Sequence, residues 1–123
     1  MKAVRSFQDL EVWQRAVDLA TQVYQVAKKF PASEQFGLTS QIQRAGISVA
    51  SNIAEGWGRG TTREFIQFLR IAKGSLVELE THLIIAHRLG YLSEEALRSL
   101  REQMESISRM LVRLSRSLKQ KDG

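Results

Sequence analysis

At 123 residues the chain has the length of one ordinary domain and can bury a core without covalent staples. It has no cysteine, which excludes disulfides and thiolate metal sites, and no stretch approaches the ~18 apolar residues of a membrane helix. The 18 Lys and Arg against 13 Asp and Glu give a net charge of +5, a balance that leans toward polyanionic partners. The opening residues, MKAVRSFQDLEVW, lack the apolar core of a signal peptide. The expectation is one cytoplasmic domain spanning residues 1–123, with no membrane partner.

Apolar residues recur at helical spacing almost throughout, and no alternating strand pattern is present. The first predicted helix covers residues 7–29. Ser6 is its candidate N-cap, Asp9 stands three residues on, and Leu10, Trp13, Val17, Ala20, Tyr24 and Ala27 form its expected buried stripe. Phe30-Pro31 ends it, because the residue before proline avoids helical angles.

The second helix is expected over 34–56, with Ser33 as cap. Leu38, Ile42, Ala45, Val49 and Ile53 make one apolar stripe; Ile47, Ala50, Ala54 and Trp57 make another. Between Phe36 and Trp57 only Arg44 and Glu55 are ionised. A helix on the outside of a monomeric bundle normally carries a charged face, so this one is expected to be covered on more than one side, a second subunit included.

The third helix is expected over 62–89. It opens on Thr61 and Glu64, the T-x-x-E capping box, and carries a core stripe of Phe65, Leu69, Ala72, Leu76, Leu79, Leu83 and Ala86. Phe68, Ile71, Ile85 and Leu89 add a second apolar strip, and Gly90 is its expected C-terminal glycine. The fourth helix, 94–118, follows Ser93. Glu94 and Glu95 suit its positive end, and Leu97, Leu100, Met104, Ile107, Leu111, Leu114 and Leu118 step by three and four along one seam. Residues 119–123 are expected to fray. Four long helices with short connections predict an all-α, antiparallel up-down four-helix bundle.

The stretch SNIAEGWGRGT, residues 51–61, tests a different reading. A phosphate loop needs G-x-x-x-x-G-K-[ST], and a dinucleotide fold needs G-x-G-x-x-G, each after a strand. Gly56, Gly58 and Gly60 give G-x-G-x-G after a helix, without lysine. The glycines are therefore read as a helix stop and a tight reversal. Arg59 and Arg63 flank the start of the next helix, where backbone amides favour an anion.

These segments also carry a resemblance. S-Q-x-x-R-A at residues 40–45, N-I-A-E-G at 52–56 and G-S-x-x-E-L-E-T at 74–81 make the chain, from Ser6 to about Leu92, similar to the four-helix bundle family linked to 23S ribosomal RNA intervening sequences. Gly46 stands where the family pattern more often has alanine. The resemblance implies an all-helical protomer assembled as a ring-like homopentamer, a link to structured RNA, and no enzymatic activity. The accessory protein of diversity-generating retroelements, a basic pentamer that binds nucleic acid and a protein partner, is a more distant relative.

The remaining candidates come from the residues themselves. Gln41, Arg44, Ser48, Asn52 and Glu55 share one face of the second helix and need partners, as a seam in the bundle, a subunit interface or a ligand groove. Glu78 and His82 are one turn apart, but E-x-x-x-H occurs once, and paired Glu-x-x-His motifs of a di-iron bundle are absent; no metal or cofactor is expected. Arg109, Arg113 and Arg116 lie opposite the seam of the fourth helix, and Arg98, Arg101, Lys119 and Lys121 enlarge that basic end. Arg59, Arg63, Arg109, Arg113, Arg116 and Lys119 are the expected nucleic-acid contacts, with a protein-recruiting scaffold as the alternative.

Overall fold

The computed structural model describes residues 4–122, excepting the side chain of residue 122. Among these residues are four α-helices and no strand: α1 (Glu11–Ala27), α2 (Leu38–Gly58), α3 (Thr62–Arg88) and α4 (Glu94–Asp122). Short 3-10 turns at Phe7–Asp9 and Ala32–Glu34 precede α1 and α2. Helix α2 packs between α1 and α3, and α4 closes the bundle against α3 and α1. Leu19, Ile42, Ile53, Leu69, Leu79, Leu83, Ile107 and Leu111 fill the middle, and no polar or charged residue is buried among the described residues. This is the expected up-down bundle around one core.

Helix α1 begins later than its periodicity suggests. Ser6 caps the 3-10 turn: its side chain accepts from the Gln8 amide at 3.1 Å, and Asp9 accepts from the Ser6 amide at 3.2 Å. The buried row is also different. Leu10 and Ala27 are buried as expected, but between them Val12, Ala16, Leu19 and Val23 are buried, whereas Trp13, Val17 and Ala20 are half-buried and Tyr24 is 43% exposed. Trp13 is held at the margin by Phe7, edge to face with ring centroids 5.2 Å apart. A row rich in small residues lets α2 approach: a Cβ placed on Gly46 would meet Ala20 Cα at 3.6 Å, ordinary contact, so alanine would fit there as well.

Helix α2 starts at Leu38 rather than residue 34, because Pro31 leads into the second 3-10 turn and Gly37 enters at φ −112° and ψ −112°. Ser33 therefore caps nothing in α2. The helix continues through Gly56 and Gly58, and the chain reverses at Gly60, where φ is +86°. Gly56 serves packing instead: a Cβ there would lie 2.6 Å from Phe68 Cβ.

Helix α3 follows its reading closely. Thr61 accepts from the Glu64 amide at 3.2 Å, and all seven predicted core positions are buried. In α4, Ser93 accepts from the Ala96 amide at 3.1 Å. Leu97, Leu100, Met104, Ile107 and Leu111 are buried, Leu114 and Leu118 half-buried. The helix does not stop at 118 but runs to Asp122, since Leu114 and Leu118 still pack against the core. Gly123 lies outside the described residues.

Candidate nucleic-acid interface

The up-down order places the start of α3 beside the end of α4. That edge also holds the α2–α3 turn. Residues 59–77 and 106–121 together contain nine of the 18 basic residues and one of the 13 acidic ones, Glu64. The whole positive excess of the chain is concentrated there. The rest of the molecule is mildly acidic.

Arg109, Arg113, Arg116 and Lys119 are exposed, and none forms an ion pair among the described residues. At about 100° per residue Arg109, Arg113 and Arg116 share the outer face of α4. Arg116 and Lys119 border an open trough of about 290 Å³ between α3 and α4, which Arg109 and Arg113 do not line. Arg70 and Lys73 border the same trough from α3. Sequence reasoning overlooked these two, because on α3 alone they read as an ordinary solvated face. Their i, i+3 spacing, set against the antiparallel partner, was the available signal.

Arg59 and Arg63 stand at the turn. The Arg59 guanidinium lies 5.0 Å from the centroid of the Phe68 ring and 3.8 Å from Glu55, so it is partly engaged. Arg63 is exposed and has no ion pair among the described residues. It adds charge beside the amino end of α3, where amide dipoles already favour an anion.

The polar strip of α2 is not an internal seam of the bundle. Gln41, Arg44 and Glu55 are exposed, while Ser48 and Asn52 are half-buried at the edge of the α2–α3 contact. There the Ser48 and Ser75 hydroxyls meet at 2.9 Å, and Asn52 Nδ2 donates to Ser48 O at 2.8 Å and Oγ at 2.9 Å. Arg44, Ser48, Ser75 and Glu78 line a shallow groove of about 450 Å³. Exposed apolar residues flank it: Ile47 on α2, Ile71 and Ile85 on α3, and the projecting ring of Phe36, which is 91% exposed. Within the protomer α1 and α3 cover two sides of α2, and Gln41, Arg44, Ile47, Ser51 and Glu55 stay exposed.

His82 Nε2 is buried and lies 3.6 Å from Glu78 Oε1, whereas His87 Nδ1 bonds Leu92 O at 2.8 Å. The two rings serve different contacts. Among the described residues no group of three His, Cys, Asp or Glu side chains is placed to hold a metal ion. No helix is long and apolar enough to cross a membrane.

Fold and edge together define an up-down four-helix bundle with a segregated basic face. The profile of the 23S rRNA-intervening sequence proteins matches residues 8–113, and the chain belongs to that family. The match runs past Leu92 through most of α4, which motif reading alone had left unassigned. A crystal structure of a protein of unknown function from the S23 ribosomal protein family of Bacteroides thetaiotaomicron has the same fold, with a TM-score of 0.79 and 24% sequence identity over 85% of this chain and 95% of that one. Among curated proteins, none matches the chain.

Proposed function

We propose that this protein is a non-enzymatic, homo-oligomeric bundle that binds structured nucleic acid, RNA in the first place, through its basic edge. The observation that carries the reading is the charge segregation: residues 59–77 and 106–121, at the α2–α3 turn, the first part of α3 and the end of α4, hold nine basic side chains and one acidic one, with Glu55 and Asp122 at their borders. Such a field attracts phosphates whatever their sequence. Membership of a family named for 23S rRNA intervening sequences points to the same class of partner.

Self-association, as a ring of five in this reading, is supported by the α2–α3 face. Ile47, Ile71, Ile85 and Leu89 are between 43% and 55% exposed there, more apolar surface than a lone bundle of this size needs. Five copies would carry a charge of about +25 and strengthen the field a polyanion meets. Crosslinking in the expressing cells, with sequencing of recovered RNA and proteomics on the same sample, tests the function. Enriched RNA supports the proposal. A recovered protein partner without RNA replaces it by a protein-recruiting scaffold.

A further inference from the structure

Resting on that reading, we infer that the phosphate contacts are made in the trough between α3 and α4, and that Arg70, Lys73, Arg116 and Lys119 grip one phosphodiester strand laid along it. Four observations meet there. The trough has two basic lips on different helices, Arg70 with Lys73 and Arg116 with Lys119. Each pair is three residues apart, about 4.5 Å along its helix, the same order as the ~3.4 Å rise per phosphate along one strand. All four side chains are exposed and without an ion pair among the described residues, so no intramolecular contact must be broken to engage a ligand. No carboxylate lines the trough.

The floor explains why the trough persists. Leu69 and Leu111 are each 1% exposed and form its base, so the two lips stand on core residues of a rigid helix pair. Ser115 adds a hydroxyl that can donate to a phosphate oxygen. The other half of the α3–α4 contact contrasts sharply. There Arg101 Nε donates to Glu80 Oε2 at 2.9 Å, and the cation is already neutralised. The Arg101–Glu80 pair thus occupies one half of the valley, and the four unpaired cations of the trough occupy the other. No aromatic ring lines the free half, so bases are not stacked and sequence preference is weak.

The test is a set of charge-matched variants, with affinity for a structured RNA followed by fluorescence anisotropy across salt. Arg70→Gln with Lys73→Gln removes the α3 lip, Arg116→Gln with Lys119→Gln the α4 lip, and Arg109→Gln with Arg113→Gln two arginines of α4 that do not line the trough. Lys28→Gln with Lys29→Gln, exposed at the far end of the bundle, controls for net charge. Circular dichroism and light scattering confirm that fold and assembly are kept. Each lip variant is expected to lower affinity about tenfold at low salt and to flatten the log–log salt slope by about 1.4–1.8, two contacts' worth. The far-end control should change neither beyond twofold. If the Arg109 and Arg113 pair carries the loss and the α3 lip carries none, the trough is overturned while nucleic-acid binding stands. If wild type binds no RNA or DNA at low salt, or binds only acidic-lipid vesicles, the functional reading fails and the trough with it.

Discussion

Gly56 of α2 and Phe68 of α3 approach so closely that a Cβ on the glycine would lie 2.6 Å from the phenylalanine Cβ. Phe65 crowds the same point, with its ring carbon 3.1 Å from that Cβ position. The glycine in N-I-A-E-G is therefore the place where the second and third helices touch backbone to side chain. It is not a phosphate cradle. The approach also brings Arg59 over the Phe68 ring and so sets the geometry of the turn at the basic edge.

Gly56→Ala should consequently destabilise the bundle. Overpacking typically costs about 1–3 kcal/mol, and the helical preference of alanine returns up to about 1 kcal/mol. A net loss in urea denaturation is expected. Gly46→Ala is the contrast, because its Cβ meets Ala20 and Val23 at 3.6 Å. It should be neutral or stabilise by up to about 1 kcal/mol. Equal effects at the two positions would contradict the packing account.

The α2–α3 face should hold copies of the chain together. Multi-angle light scattering is expected to report several protomers per particle at micromolar concentration, and Ile47→Asp with Ile71→Asp to reduce it toward the 14.0 kDa protomer with helicity retained. A wild-type protein that elutes as a clean monomer would end this part of the reading.

The polar end opposite the basic edge has its own signature. Tyr91 Oη donates to Glu34 Oε2 at 2.9 Å and ties the α3–α4 connection to the α1–α2 connection. That hydrogen bond, then partial burial and the carboxylate's charge, raises the tyrosine pKa above its ordinary 10.0. A group whose pKa is raised on folding contributes stability in full below its unfolded value and loses it as pH climbs through the folded one. Stability measured from about pH 8 to about pH 11 should therefore fall more steeply in wild type than in Tyr91→Phe. Parallel curves would show that the hydroxyl is uncoupled from folding.

Sequence periodicity carried the fold where a helix has one unambiguous apolar row. The α3 stripe from Phe65 to Ala86 and the α4 seam from Leu97 to Leu111 are buried as spaced. It misplaced α1, which has two candidate rows; bulk favoured Trp13 and Tyr24, while packing chose Ala16, Leu19 and Val23. Element starts moved because Pro31 and Gly37 admit a 3-10 turn that periodicity cannot distinguish from a first helical turn. The row on α4 could be read because its members are consecutive turns of one helix. Arg70 and Lys73 show the same one-helix spacing, but that they border a trough depends on which helix lies beside them.

The central claim is nucleic-acid binding by charge, and salt dependence tests it most directly. Affinity for a structured RNA should be measured between about 50 mM and about 200 mM salt for wild type and for a protein with Arg109, Arg113, Arg116 and Lys119 all replaced by glutamine. The account predicts a linear fall of log affinity with log salt in wild type, and a slope flattened by about 1.4–1.8 units in the variant, the share of Arg116 and Lys119, with assembly unchanged. A variant that binds as tightly as wild type at every salt concentration would contradict it.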